Sequence, residues 1–316
     1  FTNPSGMVTE AVIQYGHWDK CIGLCNVPVI AMMKEPEAIG YDAKALTYQF
    51  AGINHFHWHK VYDKQGRELT QKVIDALFDG KDIGLPANIN NVPFFKEQIE
   101  QMQMIPCGYH RYYYRQEEML AHSLEEYNTI GTRGQQVKHT EEKLFELYKN
   151  KELDHKPEEL SMRGGAYYSD AACECINAIY NNKKIHMVVS TQNRGAIPEL
   201  PVDSIVEVSS IIDGKGATPI AWGKFPSAQR GWLQCMKAME ECTINAAVTG
   251  NYGMAMEAFA LNPLIPSGES AKQVLDQLLL AHEAYLPQFT STIQRLKKEN
   301  VQIKDHVVQE LMKEGK

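Results

Sequence analysis

No excess of positive charge marks this chain of 316 residues, in which 39 acidic side chains outnumber 32 basic ones for a formal net charge of −7. A basic footprint for nucleic acid or for an anionic membrane surface is therefore missing, and a small mobile substrate is the better expectation. No apolar run approaches the ~18 residues needed to cross a bilayer, and no lipidation signal is present. Between strand and helix there is no Gly-x-Gly-x-x-Gly and no P-loop. The segment Gly214-Lys215-Gly216 runs on to Pro219 as a strand-to-strand turn, so no nucleotide fingerprint is found. Seven cysteines, an odd number without a secretory leader, argue against disulfides and for reduced thiols in a cytoplasmic location. Internal repeats and low-complexity tracts are absent. So is an initiator Met: the opening Phe1-Thr2-Asn3-Pro4 looks like the tail of a strand turning into a helix, which suggests a fragment.

What is there is ordinary globular material, 44% hydrophobic and 22% charged, enough for one large or two modest domains. A helix is expected from Ser5 to Tyr15, closed by Gly16, within an opening segment 1–16. Ile22 to Ile30 has the look of a strand or loop, followed by a helix to Glu35. Phe50 to Val61 alternates as one strand carrying His55, His57 and His59 on a single face, with a turn at Lys64–Arg67. Helices are expected at Glu68–Leu77, Pro93–Met102, Glu117–Tyr127, Lys138–Asn150 and Asp170–Asn181, and strands at Lys184–Thr191, Ile205–Ile212 and Ala217–Trp222. From Gln229 onward the pattern is helical, broken at Gly250, Asn262-Pro263 and Pro287, and it ends in a charged tail, 297–316, expected to fray.

Two stretches carry chemistry: Gly23-Leu24-Cys25-Asn26-Val27-Pro28, and Gly52-Ile53-Asn54-His55-Phe56-His57-Trp58 thirty residues on. A thiol and an imidazole could converge on one metal ion if the chain between them folds back. The spacing is far looser than a Cys-x-x-Cys motif, and a core cysteine with a hydrogen-bonded histidine explains it equally.

Taken in order, FTNPSGMVTEAV, GLCNVP, GINHFHW, IPCGYHRYYY, RGGAYYSDAA, TQNRGAI, VEV and NPLIPS closely resemble the 6-phospho-β-glucosidases of glycoside hydrolase family 4, from residue 1 to about residue 290. The resemblance implies an α+β fold like the C-terminal domain of lactate and malate dehydrogenases, with helices on a small mixed or antiparallel sheet. It also implies that residues 1–316 form the substrate- and metal-binding domain, with most of the NAD-binding domain missing. The activity it implies is a redox route that needs NAD and a divalent metal, Mn2+ by expectation. Hydride leaves carbon 3 of the sugar, a base takes the acidified proton at carbon 2, the β-glycosidic bond is eliminated, water adds and the hydride returns. By the same resemblance Cys25 and His55 are metal ligands and Tyr109 is the base. Asn26 marks the β-specific branch, Asn3 contacts cofactor or sugar, and Asn54 orients His55 at the substrate site. A 6-phosphate calls for arginine, for which Arg111, Arg133 and Arg163 are the candidates, and the metal together with Arg111 would lower the Tyr109 phenol. The expected substrate is a phosphorylated disaccharide or an aryl 6-phospho-β-glucoside, and the expected assembly a homo-oligomer. The rival readings are the substrate domain of a 2-hydroxyacid dehydrogenase and a catalytically silent oligomerising fragment.

Overall fold

A computed structural model describes residues 1–86, 89–163 and 167–314, with backbone alone at 161, 163, 310, 311, 313 and 314. The chain divides into two compact units, one of Phe1–Thr9 with Trp18–Pro226 and the other of Glu10–His17 with Ser227–Lys316. Among the described residues no helix is long and apolar enough to cross a membrane.

Helix α1 (Ser5–Gln14) begins in the first unit, which continues with α2 (Asn26–Ile39), β1 (Leu46–Ile53), β2 (Phe56–Asp63), α3 (Thr70–Phe78) and α4 (Lys96–Met102). There follow β3 (Ile105–Pro106), α5 (Arg111–Tyr114), α6 (Gln116–Thr129), α7 (Arg133–Tyr148), α8 (Glu159–Arg163), α9 (Tyr168–Tyr180), β4 (Ile185–Gln192), β5 (Ile205–Asp213) and β6 (Gly216–Pro219). The sheet is antiparallel throughout, in the order β3-β2-β1-β5-β4, with β6 also paired to β5. Its β-branched and aromatic strands fill the core: Phe50, Trp58, Val61, Val189, Val206, Val208 and Ile212 are wholly buried. The chain is thus an α+β protein with helices around a small antiparallel sheet.

Two expectations for this unit are corrected. The single strand Phe50 to Val61 is a hairpin, because Ile53 pairs with Phe56 and leaves Asn54 and His55 as a two-residue turn. His55 has φ 64, the left-handed conformation, as the second residue of that turn, so it does not share a strand face with His57 and His59. The strand or loop expected over Ile22 to Ile30 is a single bridge, Gly23 to Ser190, and then helix from Asn26. Pro28 falls in the first turn of α2, where backbone N–H groups have no partners within the helix, so it does not delay the start. Gly40, at φ 72, closes α2 by donating its N–H to the Glu37 carbonyl.

The second unit holds α10 (Ser227–Thr249), α11 (Tyr252–Leu261), α12 (Gly268–Ala281), α13 (Thr290–Lys298) and α14 (His306–Glu314) around Ala246, Ala255, Leu275, Leu279, Phe289, Ile293 and Leu296. The tail expected to fray contains α14, whose Val307 is buried, and Ile303 ahead of it packs on the same cluster.

Candidate active site

The hairpin turn, the start of α2 and the short helical turn Gly108–His110 meet at one place. Cys25 is the residue that precedes α2; it is buried, and its extended backbone aims the Val27 N–H at its sulfur. Tyr109 packs into the buried cluster of Cys25, Val27 and Cys107. Its ring also lies parallel to that of His55, with centroids 4.1 Å apart and planes 16° apart. The thiol, imidazole and phenol singled out in the sequence are therefore brought together, with Tyr109 as the common neighbour.

Beneath them runs a polar row across three strands. Gly52 of β1 pairs with His57 of β2 on one side and Glu207 of β5 on the other. His57 Nδ1–H reaches over it to Glu207 Oε1 at 2.7 Å, both side chains 1% exposed. A Cβ at Gly52 would lie 2.4 Å from the Phe56 carbonyl oxygen and 2.5 Å from the His57 Cα, and φ there is 151°. Only glycine leaves the histidine and carboxylate free to meet across the middle strand. The second Glu207 oxygen accepts from Asn54 Nδ2 at 2.9 Å, and the same amide hydrogen-bonds the Cys25 sulfur.

This surround sets the charges. Burial and the Glu207 carboxylate hold the Cys25 thiol well above its usual range, against the pull of the Val27 N–H and Asn54. Burial pushes His55 down, partly offset by Glu207, which keeps its ring neutral with a lone pair to give. Burial would also lower His57, but Cys107 and Glu207 outweigh it and raise the imidazole to about 10. A neutral imidazole with a free lone pair beside a thiol offers one nitrogen and one sulfur donor to a cation. Among the described residues no group of three or more His, Cys, Asp and Glu could hold a metal. Cys25 and His55, the ligands that the family resemblance implies, would leave positions for water and substrate.

The other expected residues divide. Asn3 accepts from the Tyr168 hydroxyl at 3.3 Å, while Tyr168 bonds the Cys25 sulfur and receives the Asn26 N–H, so Asn3 and Asn26 both border the site. Asn54 serves Glu207 and Cys25 rather than His55. Arg111 is engaged within the chain. It is buried, stacks 4.3 Å over the Phe94 ring and gives its N–H groups to the carbonyls of Val92 and Gly108 and to Asn91 Oδ1. Arg133 donates to the Met162 carbonyl, tying α7 to α8. The Arg163 side chain and the glycine pair after it lie outside the described residues. Glu207, Tyr168 and Cys107 had no role assigned from the sequence. The one available signal for Glu207 was a carboxylate inside the unbroken strand run Ile205-Val206-Glu207-Val208, where burial demands a partner.

A profile of the family 4 glycosyl hydrolase C-terminal domain matches residues 50–265. The Bacillus subtilis protein called "Probable 6-phospho-beta-glucosidase" is 45% identical over 294 residues, which cover 93% of this chain and 66% of that protein. The 6-phospho-beta-glucosidase of Escherichia coli is 38% identical over 301 residues, 94% and 67% of the two chains. A structure of the 6-phospho-beta glucosidase from Thermotoga maritima with manganese, NAD+ and glucose-6-phosphate superposes with a TM-score of 0.77 at 30% identity, covering 90% of this chain and 66% of that one. The chain spans about two thirds of the length of these relatives. With a profile that matches more than half of its residues and relatives this similar, the chain belongs to the family 4 glycosyl hydrolases.

Proposed function

We propose that residues 1–316 are the substrate- and metal-binding part of an NAD- and divalent-metal-dependent 6-phospho-β-glucosidase, and that the dinucleotide site lies in sequence outside these residues. The observation that carries the reading is the meeting of Cys25, His55 and Tyr109 above Glu207. Similarity to a structure holding manganese, NAD+ and glucose-6-phosphate supports it. Cys25 and His55 hold the metal, Mn2+ by analogy, and when bound it supplies Lewis-acid stabilisation of developing negative charge on neighbouring sugar oxygens.

The remaining work falls to the chain itself. Tyr109, held parallel to the His55 ring, takes the proton from carbon 2 of a sugar oxidised at carbon 3. Asn26, Asn3 and the Tyr168 hydroxyl, linked to each other and to Cys25, line the sugar side and orient its hydroxyls. Asn26 carries an amide where a proton donor would need an acid, so it binds and does not protonate. The substrate is an aryl 6-phospho-β-glucoside or a phosphorylated disaccharide. Seven free cysteines fit a reducing cytoplasm, and a homo-oligomer is the assembly we infer from the family.

Hydrolysis of an aryl 6-phospho-β-glucoside with NAD+ and Mn2+ tests this. The 316-residue chain alone should show little or no turnover, and the chain joined to a family dinucleotide-binding segment should be active. In the active form Tyr109→Phe should lose about 10²–10⁴-fold in kcat, and Cys25→Ser should lose both activity and bound metal. Brisk turnover by the chain alone would refute the placing of the dinucleotide site, and full activity of Tyr109→Phe would refute the base.

A further inference from the structure

Two donors on separate elements, one on the residue before α2 and one in the β1–β2 turn, are useful to a metal only if something fixes them before it arrives. Neither Cys25 nor His55 lies inside a helix or a strand: one is the last extended residue ahead of a helix, the other is in the left-handed position of a two-residue turn. The buried carboxylate of Glu207 touches the neighbours of both. Its Oε2 accepts from the Asn54 Nδ2 at 2.9 Å, and the same amide hydrogen-bonds the Cys25 sulfur. Its Oε1 accepts from His57 Nδ1 at 2.7 Å, two residues past His55, and the far side of that ring hydrogen-bonds Cys107, a member of the buried cluster with Cys25. The pair is thus tied down from both ends, and Gly52 is the gap that lets β5 reach it.

We propose that Glu207 is the positioning residue of this centre: by pinning the Asn54 amide it holds the Cys25 sulfur in place, and by pinning His57 it fixes the turn that carries His55. This deepens the metal site proposed above and rests on it. An amide is free to flip, and without the carboxylate the Asn54 oxygen can turn to the sulfur as readily as an N–H. A carboxylate is the group able to accept from both Asn54 and His57 at once. Glutamine of the same shape has one acceptor, which the His57 N–H takes, and turns an N–H toward the Asn54 amide, so the tie to Asn54 is the one that breaks.

Cobalt(II) titration of the full 316-residue chain decides this, because a cobalt–thiolate bond gives a near-ultraviolet charge-transfer band independent of turnover. The unaltered chain should develop that band, and Cys25→Ser should abolish it. Glu207→Gln should keep its circular dichroism and bind Co2+ about 10–100-fold more weakly, with a weaker band. Asn54→Ala should show a similar loss, and the double variant should be little worse than either single one, since both remove the same tie. If Glu207→Gln fails to fold, Asn54→Ala alone decides, with unchanged Co2+ affinity counting against the relay. An unaltered chain that shows no band removed by Cys25→Ser refutes the metal site itself. A normal band and affinity in folded Glu207→Gln, or additive losses in the double variant, refute the positioning role and leave the metal site standing.

Discussion

His110 shows how one buried side chain can govern the pH response of this fold. It is fully buried among the rings of Phe56, Trp58 and Tyr114, and its Nδ1–H donates to the Cys107 carbonyl. Burial, with the His57 charge adding to it, lowers the imidazole from 6.5 to about 3, so the folded chain holds it neutral. Below pH 6.5 the unfolded chain takes up a proton that the folded chain refuses. The stability contributed by this histidine is therefore complete above about pH 6.5 and is lost as pH falls toward 3, by at most about 1.4 kcal/mol per pH unit. Urea midpoints between pH 7 and 4 should fall less steeply in His110→Phe than in the unaltered chain, after a loss of about 1 kcal/mol at pH 7 for the missing hydrogen bond. Equal slopes would show that this ring does not carry the acid response. At this scale the sequence was only partly legible. Cys25, His55 and Tyr109 stood out through the ordered set of motifs that resembles the family, not through their spacing, which a core cysteine and a hydrogen-bonded histidine explain equally. Glu207 did not, since its apolar strand run hints at burial but names neither its partners nor the glycine at the matching register of the strand beside it.

At the level of elements, α10 carries the boldest placement of charge. Lys237 is 2% exposed and gives Nζ to Glu10 of α1 and to Glu240 one turn on, each at 2.7 Å. Burial acts to lower its ammonium, but Glu240 and Glu10 outweigh it and leave it raised. Breaking such a cluster from one side costs more than the cluster contributes, because the abandoned charges stay buried. Lys237→Met should cost about 3–5 kcal/mol in urea denaturation. The triple change Lys237→Met, Glu10→Gln and Glu240→Gln should regain most of that. No regain would mean that packing of the lysine stem, and not stranded charge, makes the difference. Helices such as α6, α9 and α10 were readable from apolar periodicity, and α7 begins earlier than its pattern suggested because Thr132 and Gln135 form a capping box ahead of it. The β1–β2 hairpin was not readable. Its turn is Asn54-His55 where Asn-Gly is the usual signal, and a histidine forced into the left-handed region looks in sequence like one more outward strand residue.

On the scale of the whole chain, each unit has a buried cluster of its own, and every residue of the candidate site belongs to the first. A ligand that binds only the folded site stabilises by RT ln(1 + [L]/Kd), about 2.7 kcal/mol at a hundredfold excess over Kd. Hydrogen exchange reads where that stabilisation is felt, because amides open in cooperative segments and not uniformly. Adding Mn2+ should therefore slow exchange at residues 24–27, 53–57 and 107–109 and along β5 through Glu207. The amides of α11 to α13 should exchange as before. Chelation should reverse the protection, and Cys25→Ser should prevent it while leaving the exchange pattern of the metal-free chain unchanged. Protection spread evenly over residues 1–316, or surviving in Cys25→Ser, would place the metal somewhere other than the centre built by the β1–β2 turn, the start of α2 and the phenol of Tyr109.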